Sequence, residues 1–302
     1  MRLLRLEDSK YPKSLRNIKN APKALYIEGE LDCFNIPCVT VVGSRNMSEY
    51  GKKMTRKIVK ELVEAGVCIV SGLAVGIDTV AHETCLENGG CTIAVLGSGL
   101  NKIFPRENTS LFNRIINSGG CVISEYTPDE EAKKMYFPAR NRIVSGLSLG
   151  TLVVEAAYRS GTSITAKFAF EQNKKVFCIP NSVGNKNSSG TINLIKNGAI
   201  MITNGKDILY SLGLIDKLDN YESFLEEQKL NRAKVKEEEQ LKDLNEDSKK
   251  VYQIIKQNGV INSEIACGEL NMPIQDFNTC LTILEIKGLI MDKTGGMYCI
   301  RE

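Results

Sequence analysis

Seven apolar runs of four to six residues recur along the first two thirds of the chain, at 38–42, 67–70, 91–96, 121–124, 151–154, 175–179 and 199–202. Stretches with helical amphipathic spacing lie between them at 52–65, 77–88, 108–117 and 165–172. Near-continuous apolar strands are buried on both faces, and strands joined by helices pair in parallel. The pattern therefore predicts an α/β domain with a doubly wound, mostly parallel sheet over 37–215. Residues 1–36, with Tyr11-Pro12 and Ala21-Pro22, read as a lead-in containing one short helix. Residues 216–245 are highly charged and have almost no apolar stripe, as in a solvated linker. Periodicity resumes at 246–302, with helices at 248–257, 262–270 and 273–285. A hairpin from 289–291 and 297–300 follows, around Thr294-Gly295-Gly296. Three helices and a hairpin predict a small C-terminal winged-helix domain.

The apolar runs end in glycine-rich turns that feed helices. Gly43-Ser44-Arg45 follows the first run and Ser71-Gly72-Leu73-Ala74-Val75-Gly76 the second. Gly97-Ser98-Gly99 follows the third. Such turns point backbone N–H groups outward at the positive end of a helix dipole, a geometry suited to phosphate. In doubly wound sheets ligands bind at the carboxyl ends of the strands, where these turns sit. Several of them along one rim suit a row of phosphates, as in a nucleotide or a nucleic-acid strand. The chain has neither GxxxxGK[ST] nor GxGxxG, so ATP hydrolysis has no support and no cofactor is expected.

Composition narrows the choice. The 302 residues are 42% hydrophobic and 25% charged, as in an ordinary globular protein. No apolar run approaches the roughly 20 residues of a membrane helix. The N-terminus gains acidic residues and a proline too early for a signal peptide, so a cytoplasmic protein is expected. The ten cysteines form no CxxC pair, and four lie in or beside strand runs, as buried reduced thiols do. With one histidine, His82, and no ligand cluster around it, no metal site is expected. Residues 1–215 carry 27 Lys/Arg against 19 Asp/Glu; residues 216–302 carry 12 against 17. The front part attracts a polyanion and the back part repels one.

Further motifs sharpen the first part. Lys134, Phe137, Arg140 and Arg142 mix cations with a ring, the combination that single-stranded nucleic acid needs for its backbone and its bases. Tyr126 and Tyr136 are weaker stacking candidates. Ser160-Gly161-Thr162 supplies further donors for an anion. Glu155 beside them is expected to hold Arg140 or Arg142 in place. His82, four residues after Asp78 on one helical face, reads as a structural hydrogen-bonding residue.

Taken together these blocks resemble the DNA-processing protein A family (DprA, also called Smf). They are GSRNMSEYG at 43–51, SGLAVGIDTVAH at 71–82, TIAVLGSGL at 92–100, ISEY at 123–126, FPARNRIVSGLS at 137–148, LVVEAAYRSGTSITA at 152–166 and SSGTINLIKNGA at 188–199. The resemblance implies an extended Rossmann-like domain that binds single-stranded DNA, with no catalytic residues. It also implies a homodimer that protects incoming DNA in natural transformation, loads the RecA recombinase and displaces single-strand-binding protein. By motif position the DNA pocket includes Gly43, Ser44, Arg45, Lys134, Phe137, Arg140 and Asn141, with Arg142 beside them. The family usually has Pro-Gly where this chain has Pro180-Asn181.

Two other readings compete. A nucleotide phosphoribohydrolase of the lysine-decarboxylase-like type has a similar core and works with an arginine and a glutamate; Arg142 and Glu155 are the candidates here. A transcription regulator would read duplex DNA with the winged helix. Against that, residues 246–302 hold 6 basic and 8 acidic side chains, and the third helix of this segment has no Lys or Arg. A groove-reading helix needs cations, so this domain is expected to contact protein.

Overall fold

A computed structural model describes residues 1–158, 160–215, 241–270, 272–293 and 296–300. Most of the expected linker, together with Arg159 and the hairpin turn Thr294-Gly295, lies outside the described residues. The chain divides into two units, Met1–Asp216 and Lys217–Glu302.

The first unit is built on a nine-stranded sheet. Its strands are β1 (Arg2–Arg5), β2 (Ala24–Gly29), β3 (Cys38–Val42), β4 (Cys68–Ser71), β5 (Thr92–Leu96), β6 (Cys121–Ser124), β7 (Gly150–Val153), β8 (Lys175–Cys178) and β9 (Ile200–Met201), in the order β1-β2-β6-β5-β4-β3-β7-β8-β9. The seven strands from β3 to β9 run parallel, as their apolar runs predict. Residues 1–36 are more than a lead-in. They supply α1 (Lys13–Arg16) and the antiparallel strands β1 and β2, which close the β6 edge. Tyr11 is buried and donates its hydroxyl to the Pro22 carbonyl at 2.8 Å.

The central strands pack apolar side chains on both faces. In β3, Val39 and Val41 pack with Ile58, Leu62 and Ile77, whereas Cys38 and Val42 pack with Leu15, Ile143 and Val153 on the other side. The period of two is what a strand buried on both faces requires. The covering helices include α2 (Glu49–Glu64), α3 (Ile77–Glu87), α4 (Thr109–Asn117), α5 (Tyr136–Leu147) and α6 (Gly161–Glu171); α7 (Ser189–Lys196) and α8 (Gly205–Ser211) complete the unit. Strands β3 to β6 are laid down outward in sequence. The chain then returns through α5 to place β7 on the other side of β3, so the strand order reverses between β3 and β7. No helix among the described residues is long and apolar enough to cross a membrane.

The second unit contains α9 (Glu246–Asn258), α10 (Ser263–Leu270), α11 (Ile274–Ile286) and a three-stranded antiparallel sheet. Its strands β10 (Val260–Asn262), β11 (Ile290–Asp292) and β12 (Met297–Ile300) lie in the order β10-β12-β11. The Asn245 side chain caps α9 by accepting from the Ser248 amide, and Gly259 ends it at φ 72°. Val251, Ile255, Phe277, Leu281 and Leu284 form its core. The expected helices and hairpin are present; strand β10 was not foreseen.

His82 is wholly buried on α3, with Nδ1 2.7 Å from Thr92 Oγ1. The Thr92 hydroxyl donates to the Ile69 carbonyl, so it accepts from His82 and the imidazole proton sits on Nδ1. Nε2 has no partner among the described residues. Burial, helped by the charge of Arg140, pushes the imidazole from 6.5 down to about 3. The unfolded chain therefore takes up a proton that the folded one refuses. Stability falls as pH drops below 6.5, by about 2 kcal/mol between pH 7 and pH 5. Urea midpoints measured at both pH values should show this loss, and His82→Asn should remove most of it.

Candidate nucleic-acid interface

A cleft of about 650 Å³ opens at the carboxyl edge of the sheet, where the strand order reverses. Two connections form its walls. Gly43-Ser44-Arg45 leaves β3, and Ser160-Gly161-Thr162 leads into α6. They are tied across the switch point by Thr162 Oγ1, which donates to the Gly43 carbonyl at 3.1 Å. A doubly wound sheet has its natural ligand crevice at this place, because the flanking connections diverge there. Gly43 is required by the approach of α3, since a Cβ would lie 2.6 Å from the Ile77 side chain. The first turn of α6 opens into the cleft. Its N-cap, Ser160, makes no capping hydrogen bond from its side chain, so the N-terminal amides of this helix present partial positive charge there.

The third wall is the start of α5. Its crossover path from β6 to β7 carries Phe137, Arg140 and Asn141 under the same rim, with Lys134 just before it. Arg45 and Lys134 are exposed, and among the described residues neither has an ion pair. The Arg45 guanidinium lies 5.7 Å from the centre of the Phe137 ring. Phe137 also packs 5.4 Å from Phe104, whose 45% exposure makes it the more open ring. Sequence reasoning missed Phe104, because it sits in an irregular segment between Ile103 and Pro105 without periodic neighbours.

Arg140 differs from the other two cations. It is buried, and Nη1 donates to the Gly72 carbonyl at 2.6 Å and to the Val95 carbonyl. Its Nε donates to Asn141 Oδ1 at 3.2 Å. The carboxylate whose charge acts on it is Asp78, whose Oδ2 accepts from the Gly72 amide at 3.1 Å. Burial lowers the guanidinium to about 10, with Asp78 resisting, and the same burial pushes the Asp78 carboxyl up. Arg140 thus floors the cleft and braces the turns after β4 and β5.

The structure brings Gly43, Ser44, Arg45, Lys134, Phe137, Arg140, Asn141, Ser160, Gly161 and Thr162 to one hollow. Other expected members stand elsewhere. Arg142 is two positions along α5 from Arg140 and points away, as residues at that spacing on a helix must. It pairs with Glu125 at 2.6 Å and donates to the Asn20 carbonyl at 2.9 Å. The glycines of the second and third turns serve packing instead of phosphate. A Cβ on Gly72 would meet the Arg140 guanidinium at 2.5 Å, one on Gly97 would meet the Phe137 ring at 2.9 Å, and one on Gly76 would meet the Ser44 carbonyl at 2.4 Å. Gly99 donates its amide to the Glu130 carbonyl, and Ser98 is fully buried. Tyr126 and Tyr136 stack on each other with centres 3.9 Å apart, outside the cleft lining.

Glu155 corrects another expectation. It is fully buried but holds neither arginine. Instead it accepts from the Ser48 amide at 2.9 Å and from the Ser48 hydroxyl, and so fixes the N-cap of α2. Asn181 brings its side-chain amide to 3.5 Å from the same carboxylate. Arg142 and Glu155 therefore do not share a site, and the catalytic pair of the phosphoribohydrolase reading is not assembled. Glu155→Gln is expected to cost about 1–3 kcal/mol through the lost acceptor, read as a lower urea midpoint. Affinity of the folded protein for single-stranded DNA should stay within about twofold, since the cleft is untouched.

A doubly wound α/β core with a cationic cleft at its switch point defines the class: a Rossmann-like protein without a nucleotide fingerprint. The chain belongs to the DNA recombination-mediator protein A family, whose match spans residues 2–213. It is 46% identical over 217 residues to the Smf protein of Synechocystis, covering 70% of this chain and 54% of that one. It is likewise 46% identical over 202 residues to the DNA processing protein DprA of Streptococcus pneumoniae, covering 67% and 71%. The chain thus spans about half the length of the Synechocystis relative. Among solved structures, DprA from S. pneumoniae superposes with a TM-score of 0.66 at 45% identity, over 69% of this chain and 73% of that one. DprA from Helicobacter pylori, described for a unique single-stranded DNA binding mode, superposes with a TM-score of 0.63 at 32% identity, over 70% and 95%. The family is described as a mediator of recombination.

Proposed function

We propose that this chain binds single-stranded DNA in the switch-point cleft and acts in DNA processing during natural transformation. It protects the incoming strand and, as a homodimer, passes it to the RecA recombinase in place of single-strand-binding protein. The convergence of Arg45, Lys134, the α6 N-terminus and the Phe104–Phe137 pair on one hollow is the observation that carries this reading. Cations with open rings suit a flexible strand: phosphates meet the charges and a base meets the ring, with little dependence on sequence. The single-stranded DNA binding described for the H. pylori relative agrees with it.

The second unit makes a different contribution. Helix α11 carries Asp276 and Glu285 and no Lys or Arg. It is unsuited to entering a groove lined by phosphates, and we assign this unit to protein contact.

Fluorescence anisotropy at fixed salt, with a single-stranded and a duplex oligonucleotide of the same sequence, tests the proposal. The single strand should bind at least tenfold more tightly. Equal affinity, or tight duplex binding that survives deletion of residues 1–215, overturns it.

A further inference from the structure

The cysteines, scattered in sequence, converge in space. Cys38 opens β3, Cys68 opens β4, Cys121 opens β6, and Cys91 immediately precedes β5. These four strands are neighbours, so their first residues form a row at the amino edge of the sheet, the end opposite the cleft. Cys38 is the register partner of Cys68. Ile69 pairs with Thr92 and donates its amide to the Cys91 carbonyl at 3.1 Å, which sets Cys91 beside Cys68. Cys33 joins the row from the short 3-10 turn before β3, and its thiol and that of Cys91 both reach the Gly119 carbonyl, at 3.4 and 4.0 Å. All five are free thiols; four are buried and Cys91 is part-exposed.

The sulfurs of Cys68 and Cys91 lie 3.7 Å apart. Adjacent strands run about 4.8 Å apart, within the Cα range that a disulfide spans. We propose that Cys91 is a reactive thiol for hydroperoxides and that Cys68 resolves it to a reversible disulfide. The row supplies what such a centre needs: one sulfur at the surface, a second in contact behind it, and further thiol donors around them. Hydrogen bonds from Cys33 and Cys68 lower the Cys91 thiol well below its ordinary range, whereas hydrogen bonding and burial raise Cys68. The acidic thiol is thus the one that oxidant reaches first.

The chemistry closes with a hydroperoxide as the only co-reactant. The Cys91 thiolate attacks the terminal peroxide oxygen; an S–O bond forms, the O–O bond breaks, and the alcohol or water leaves with a proton. The Cys68 sulfur then attacks the Cys91 sulfenic acid, forming the S–S bond and releasing water. Two thiols give up two electrons and the peroxide is reduced. A dithiol reductant reverses the step by exchange. The bond staples the starts of β4 and β5, a full strand length from the residues that line the cleft.

The test uses the full reduced chain. It is treated with one equivalent of hydrogen peroxide, alkylated with N-ethylmaleimide, digested without reductant and mapped by mass spectrometry. A peptide pair linked through Cys68 and Cys91 is expected, two hydrogens lighter than its parts and restored by dithiothreitol. Cys91→Ser should abolish the link, and Cys68→Ser should leave a Cys91 sulfenic acid that dimedone traps. Cys267→Ser, in the second unit, should change nothing. Because the wild-type map needs no variant, a misfolded Cys68→Ser does not blunt the test. Oxidation of Cys91 without a link, a link to any other cysteine, or an unchanged thiol count overturns the proposal.

Discussion

Replacing Arg140 by methionine lowers the unfolding free energy of the first unit by about 3–5 kcal/mol, because two buried carbonyls lose their donor and a buried carboxylate loses a compensating charge. Methionine keeps much of the aliphatic volume, so a cavity is not the main cost. Three electrostatic debts are. The Gly72 and Val95 carbonyls lose the donor that satisfied them. The Asp78 carboxylate, buried against the Gly72 amide, loses the positive charge that favours its ionised form. The turn after β4, which admits the guanidinium only because residue 72 has no side chain, is left without its brace. Asp78→Asn alone should be milder, since the amide still fills the site. The double variant Asp78→Asn/Arg140→Met should cost clearly less than the sum, because removing the cation matters less once the anion is gone. Urea denaturation of all three variants gives the cycle. A loss below about 1 kcal/mol for Arg140→Met would show that the carbonyls find other donors, and the bracing role would fail. The same result decides what Arg140 can report about DNA: its change alters the fold as well as the cleft, so it is no clean probe of phosphate contact.

Local pattern carried the parallel sheet because the strands from β3 to β9 are short, mostly apolar runs, and each edge fell within a residue or two of its expected place. Where the pattern is weak the reading was weak. Strands β1 and β2 were missed because β1 buries only Leu4 and β2 alternates buried with half-buried positions, so neither reads as an apolar run. Helix α6 begins at Gly161, four residues before its expected start, because Gly161-Thr162-Ser163 has no apolar face to announce a helix. Helix α5 was hidden by Pro138, although proline is tolerated in a first turn. Which arginine faces the cleft was not legible at all. Arg140 and Arg142 differ by two positions, and only a known helix phase separates them. Their partners Asp78 and Glu125 are 62 and 17 residues distant, so no spacing rule joins them. Nor does any spacing rule gather Cys33, Cys38, Cys68, Cys91 and Cys121; only the strand order does.

Arg45→Ala cuts affinity for single-stranded DNA by about 10- to 100-fold and leaves the unfolding midpoint almost unchanged, as expected for the loss of a charge-assisted contact on an exposed side chain. Arg45 is the cation best placed for a phosphate. It leaves the β3 turn beside the amides of Gly161 and Thr162, leans over Phe137, and its charge adds to that of buried Arg140 below. Lys134 also lines the cleft and should act as a point charge of smaller effect. Salt dependence separates the two kinds of contact. Each phosphate neutralised on a single strand contributes about 0.7 to the slope of log K against log salt. Arg45→Ala and Lys134→Ala should each flatten the slope by about that amount, and the double variant by about twice as much. Phe104→Ala should weaken binding by about 1–3 kcal/mol per base stacked while leaving the slope intact, because a ring releases no counterion. If the slope is the same in the wild type and in the Arg45→Ala/Lys134→Ala variant, the strand runs elsewhere, and the cleft at the switch point is not where this protein holds DNA.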